Sequence, residues 1–243
     1  NEKGELNSFG IPEFGTSFVR EMLKDTKPKS FAELVKISGL SHGTDVWLNN
    51  AQDLVNGKRN VQIPLEKVIG CRDDIMVQLI KYGLDFSKAF EIMEFVRKGN
   101  PTKNPSKWQE YREYMTRNNI PNWYIDSCGK IQYTFPKAHA TANVLSALRI
   151  AWFKVYKPLY FYASYFSIRA DQFELETIIE GPNAIQKRIE EIKNNKEATD
   201  LEKNKIPVLE IANECWLKGI SIKKPLINTS LSNKTLIILL VSL

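Results

Sequence analysis

From about residue 14 to about residue 218, apolar residues recur at the three- and four-residue spacing of α-helices, and proline or glycine interrupts them at short intervals. That pattern restricts the chain to a mainly α, multi-helix fold. The spacing predicts a helix over about 14–25, and another from a capping box at Ser30–Glu33 ("SFAE") to about Ile37. "SGLSHGT" then reads as a glycine-bearing loop that carries His42. Further helices are expected over 45–55, within 64–83, and over 85–98, 106–118, 121–132 and 136–156. "LYFYASYF" reads as another, followed by two over 184–194 and 199–218. Beyond Gly219, "ISIKKPLINTS" turns to β-leaning residues with a proline, so a short β-leaning C-terminal segment is expected.

Other signals exclude several classes. The three cysteines, Cys71, Cys128 and Cys215, are far apart and include no C-x-x-C pair, which argues against a disulfide framework or a zinc site and suits a reducing cytoplasm. No twenty-residue apolar span marks a membrane helix, and "TLIILLVSL" at the C-terminus reads as a buried strand or a truncated edge. The net charge of +6 is compatible with nucleic acid but does not single it out. Residue 1 is asparagine, so the chain is expected to begin inside a longer protein or to have lost its start.

The predicted helix from Pro136 carries the most chemical information. Most of it is apolar, with Val144, Leu145, Leu148, Trp152, Phe153 and Val155, and a helix apolar nearly all round is expected to be buried. Its polar residues His139, Asn143, Ser146 and Arg149 are spaced four, three and three, which lines them along one stripe. That stripe is either a polar seam against a neighbouring helix or a strip of surface. The first turn is different. Lys137 and His139 stand where the helix dipole is positive and cations are disfavoured. An anionic ligand would remove the conflict, and phosphate is the natural candidate.

Two further features are open. Arg72 falls within an apolar stripe between Val68 and Ile75. Asp73 and Asp74 are adjacent on a helix and diverge by about 100°, so they read as a solvated or salt-bridged face rather than a metal pair.

Several strings together, "SFAELVKISGLSHGTDVWLNNAQDLV", "VIGCRDDIMVQLI" and "YTFPKAHATANVL", resemble the fingers region of bacterial DNA polymerase III alpha subunits of the PolC type. "GIPEFGTSFVREML", "PNWYIDSCGKIQYTFPKAHA" and "FKVYKPLYFYASYFSIRADQFEL" extend the resemblance over roughly residues 9–220. It implies a helical fingers domain divided as 1–60, an N-terminal part with the SHGTD loop; 61–170, a helical core; 171–219, a connection toward the duplex-binding region; and 220–243, a truncated tail. The family adds deoxynucleotides to a primer 3′ end with Mg2+ held by palm aspartates, which the resemblance puts outside this chain. No catalytic residue is therefore expected here, and the isolated chain is expected to be inactive. The implied partners are primer-template DNA, the incoming dNTP, and a sliding clamp and other replisome proteins met through other parts of the parent, with no membrane.

The resemblance also assigns residues. Lys137 and His139 match the helix start that approaches the incoming triphosphate. Arg97 and Lys98 in "EFVRKGN" match the basic end of a preceding fingers helix that supplies further phosphate contacts, although cations at a helix C-terminus need no ligand. Arg72 is either a buried ion-pair partner or a residue aimed into the cleft. His42 is either part of the nucleotide site or a bystander in a loop where Thr44 caps a helix. Asn143, Ser146 and Arg149 are seam residues or template contacts. Thr141 and Asn143 depart from the family's small and aromatic residues, and "SLSNKTLIILLVSL" follows the family pattern poorly. Two alternatives stand beside the polymerase reading: a stand-alone helical DNA-binding remnant without activity, and a purely structural module.

Overall fold

The computed structural model describes residues 8–58 and 61–224. Fourteen α-helical segments occupy them. In chain order they are α1 (Ser17–Thr26), α2 (Phe31–His42), α3 (Gln52–Val55), α4 (Arg72–Lys81), α5 (Phe86–Val96), α6 (Asn100–Lys103) and α7 (Pro105–Arg117). Then come α8 (Asn122–Lys130), α9 (Lys137–Tyr156), α10 (Pro158–Ile168), α11 (Leu175–Ile179), α12 (Pro182–Asn194), α13 (Asp200–Lys203) and α14 (Lys205–Leu217). Among the described residues no strand forms, and the only β-type pairing is an isolated bridge between Thr44 and Tyr133. The mainly α expectation therefore holds. Residues 220–224 form no regular element, and the rest of the β-leaning tail lies outside the described residues.

Two compact units share the chain, one containing 17–146 and the other 7–16 with 147–243. The division falls inside α9, between Ser146 and Ala147.

In the first unit α1 packs on α2, α4 on α5, and α6 on α7 and α8. Its core includes Met22, Ile37, Leu40, Ile75, Leu79, Ile92, Met115 and Tyr124, all essentially inaccessible. The Ser30 capping box forms as expected: its hydroxyl accepts from the Glu33 N–H while the Glu33 carboxylate accepts from the Ser30 N–H. The helix it opens does not stop at Ile37 but runs to His42. Gly39, which suggested a loop, is instead a close-approach site: a Cβ there would fall on Cys71 Sγ and within 2.6 Å of the Gly70 carbonyl.

Three other expectations are corrected. The helix predicted over 45–55 is an irregular π-type turn at Trp47–Ala51, with Leu48 extended and Asn49 left-handed, followed by one turn of α3. The segment from Pro64 stays non-helical until α4 begins at Arg72, so Arg72 is the first helical residue and not part of a stripe with Val68. The Asp74 carboxylate accepts from the Cys71 N–H at 3.0 Å, which fixes that start. Finally, α9 is not buried all round. Leu145, Leu148, Trp152, Phe153, Val155 and Tyr156 are 40–66% exposed.

In the second unit α12 packs on α14, with α11 and α13 beside them. At its centre Lys154 is buried, with Nζ 2.9 Å from the Glu214 carboxylate and donating to the Phe9 carbonyl at 2.5 Å. The Tyr162 hydroxyl donates to Oε1 of the same carboxylate at 2.5 Å. Burial, followed by the Glu214 charge, pushes the Tyr162 pKa far up, so the phenol stays protonated as a donor.

Candidate functional site

The extended segment between α8 and α9, residues 132–136, organises the first unit's polar surface. Its backbone is paired on several sides. Thr44 N–H donates to the Tyr133 carbonyl at 2.9 Å, and the Gln132 N–H donates to the Thr44 carbonyl at 3.1 Å. The Thr134 N–H donates to the Arg97 carbonyl at 3.3 Å, and the Arg72 N–H donates to the Phe135 carbonyl at 3.0 Å. These bonds draw together the end of α2, the start of α4, the end of α5 and the start of α9. Gly99 is needed at this junction, because its φ of +69° is left-handed and a Cβ would approach the Gln132 carbonyl to 2.5 Å.

Both histidines of the chain meet at Phe135. The His139 ring stacks on it at 5.6 Å with a 21° interplanar angle, and the His42 ring meets its edge at 5.8 Å. The two imidazoles are 6.2 Å apart. His42 Nδ1 bonds the Ser38 carbonyl at 2.7 Å, so that nitrogen carries the proton. Asn143 Nδ2 donates to His139 Nε2 at 3.2 Å, which joins the first two members of the predicted stripe. Ser146 is exposed on the first unit's part of α9, whereas Arg149 belongs to the second unit.

The cations differ in how they are held. Arg97 makes a fork with Glu94, NH2 to Oε2 at 2.8 Å with Nε on Oε1, and Lys98 Nζ lies 3.2 Å from the same carboxylate. Hydrogen bonding from Arg97 outweighs partial burial and holds the Glu94 carboxyl at about 2. Lys98 is half exposed, and the Arg72 guanidinium has no ion-pair partner among the described residues.

At the start of α9 the conflict with the dipole is met inside the molecule. Asp73 Oδ2 accepts from the Lys137 N–H at 2.6 Å, and Lys137 Nζ lies 3.4 Å from Asp74 Oδ1. Asp74 is committed further, to Lys36 Nζ at 2.6 Å and to the N–H groups of Gly70 and Cys71 at 3.0 Å. Burial raises the Asp74 pKa, but the Lys36 ammonium and these bonds outweigh it and hold the carboxyl below its usual value. Among the described residues no three His, Cys, Asp or Glu side chains are grouped to hold a metal ion. Asp74 spends both oxygens on N–H groups and ammonium ions and Asp73 Oδ2 accepts from the Lys137 N–H, an arrangement that does not fit a Mg2+ centre.

Phe135, Lys36 and Glu94 are the members that sequence reasoning missed. Phe135 had a signal, because an aromatic two residues before Lys137 can reach the first turn of the helix. The Lys36–Asp74 and Arg97–Thr134 contacts span long separations and have no local signature.

Residues 4–119 match the family model described as the bacterial DNA polymerase III alpha subunit finger domain. The chain is also 59% identical over 222 residues to the "DNA polymerase III PolC-type" of Oceanobacillus iheyensis, covering 90% of this chain and 15% of that protein. The proteins of the same name from Bacillus subtilis and Latilactobacillus sakei are 55% identical over 221 residues and 52% identical over 234 residues, covering 15% and 16% of their lengths. The chain thus spans about 15% of the length of the curated relatives it matches.

Proposed function

The chain belongs to the PolC-type DNA polymerase III alpha-subunit family, within its fingers region, and from that premise we propose that it contributes the incoming-nucleotide side of a replicative DNA polymerase. The parent adds deoxynucleotides to a primer 3′ end on a DNA template in the cytoplasm, with sliding clamp and replisome contacts made elsewhere. Its Mg2+ is held by aspartates outside this segment.

One observation carries the reading. The 132–136 segment touches each of the elements that carry Lys137, His139, His42, Arg72 and Arg97: Phe135 meets both imidazole rings, and the backbones of Phe135 and Thr134 bond those of Arg72 and Arg97. The triphosphate is bound chiefly by side chains and not by the first N–H of α9, because Asp73 already accepts from that group. The Lys137 side chain is 51% exposed, and its 3.4 Å ion pair is with Asp74, a largely buried carboxylate that Lys36 already holds at 2.6 Å. The Lys137 ammonium can therefore turn to a phosphate without leaving that carboxylate unpaired. Lys98 can do the same, and Arg72, which has no ion-pair partner among the described residues, needs no release. Asn143 and Ser146 lie further along the first unit's part of α9, where they would meet the template.

The test uses the full-length parent. Lys137→Ala should raise KM for dNTP by about tenfold, the loss of one charge-assisted bond, and leave primer-template affinity unchanged. An unaltered KM would remove Lys137 from the site. Failure of an otherwise intact parent to incorporate nucleotide would remove the polymerase reading and favour a DNA-binding remnant.

A further inference from the structure

We propose that Lys36 is a positioning residue for the incoming nucleotide: its buried ammonium neutralises Asp74 and so leaves Lys137 free for a phosphate. The role rests on the nucleotide reading above, and it falls to a residue that the triphosphate does not touch.

Three charged side chains run in a line from the core to the surface. The Lys36 side chain is 9% exposed, that of Asp74 13% and that of Lys137 51%. Lys36 Nζ donates to Asp74 Oδ2 at 2.6 Å and to the Val68 carbonyl at 2.8 Å, which fixes the ammonium in place. The Gly70 and Cys71 N–H groups donate to the same Oδ2 at 3.0 Å. Lys137 Nζ takes only the other oxygen, Oδ1, and at 3.4 Å. Burial raises the Asp74 pKa, and of the two ammonium ions that lower it Lys36 acts more strongly than Lys137.

Two cations thus share one negative charge, and the buried one has the larger share. Away from bulk water an opposite charge a few ångströms off is held much more firmly than in it. Without Lys36, Asp74 would be a buried carboxylate whose one ion-pair partner among the described residues is Lys137. Lys137 would then be drawn inward and kept from a phosphate. A cavity of about 200 Å³ borders all three residues, and Glu33, Glu66, Lys67 and Lys81 also line it. Those two carboxylates and two ammonium ions balance each other. The charge that frees Lys137 therefore comes from Lys36.

The test uses the full-length parent. Lys36→Gln removes the charge but keeps an amide donor for Asp74. It should raise KM for dNTP about fivefold, short of the tenfold expected for Lys137→Ala, because the Lys137 ammonium is restrained and not lost. Neither kcat nor primer-template affinity should change. Asp74→Asn keeps an oxygen for the Gly70 and Cys71 N–H groups. Added to Lys36→Gln, it should return KM to within about twofold of the parent. Added to Lys137→Ala, Lys36→Gln should have no further effect on KM, since its action passes through Lys137. A Lys36 that only stabilised the fold would give a double variant no better than the single one.

An unchanged KM in folded Lys36→Gln would overturn the proposal, as would a KM that stays raised once Asp74→Asn is added. Should Lys36→Gln not fold, the double variant decides alone. Its KM should match the parent's to within about twofold, and a fivefold fall would show that Asp74 restrains Lys137 in spite of Lys36. A raised KM in Lys137→Ala with none in Lys36→Gln would sink this proposal and spare the nucleotide reading. An unaltered KM in Lys137→Ala would remove both.

Discussion

Lys36 and Asp74 show how one buried pair serves two elements at once. The ammonium ties α2 to the start of α4, and the carboxylate caps that start while steadying Lys137. Removing one partner from a buried pair leaves the other charge uncompensated. Lys36→Ala should therefore cost about 3 kcal/mol, seen as a lower urea midpoint with an unchanged slope. Glu94 supplies a pH test. Its folded pKa of about 2 is below the ordinary 4.5, so its contribution to stability is complete above pH 4.5 and is lost as pH falls through about 2. In Glu94→Gln the acid-side loss of stability between those values should be shallower than in the parent chain. Asp74 titrates with the same sign and remains in both proteins.

Among the elements, helix starts with a local chemical signal were legible in the sequence. The Ser30 capping box and the Asp85 N-cap, which accepts from the Lys88 N–H at 3.0 Å, both need only residues three apart. The end of α2 was not legible, because Gly39 is explained by the approach of Gly70 and Cys71 from far along the sequence and not by a turn. Gly39→Ala should therefore destabilise the chain despite alanine's higher helix propensity. A rise in melting temperature on that substitution would contradict the packing account. The Arg72 start was missed for a related reason: apolar spacing continued back to Val68 through a segment of turns and irregular chain that is not helical. On α9 the apolar pattern was read as burial, whereas half of that face is open in the second unit.

At the scale of the molecule, a mainly α chain was evident from spacing alone, but its division inside α9 was not. No composition shift marks Ser146, and the second unit recruits residues 7–16 from far upstream. The Lys154–Glu214–Tyr162 network, with Phe9 attached, explains that recruitment. Glu214→Ala should raise hydrogen exchange across α10 to α14 and at residues 8–16, while α4 and α5 keep their protection. Equal loss in both units would mean that they unfold as one. The candidate nucleotide surface was half legible: the residue types and the expected anion followed from the helix start, but their gathering by 132–136 depends on backbone pairing that no local pattern announces. The chain has only two histidines, and both belong to that surface. Their ring signals in an NMR titration with a deoxynucleoside triphosphate therefore test the central claim most directly. The account predicts saturable shifts of both His42 and His139 that weaken about tenfold in Lys137→Ala. Ring signals that stay fixed while triphosphate is added to millimolar concentration would contradict it.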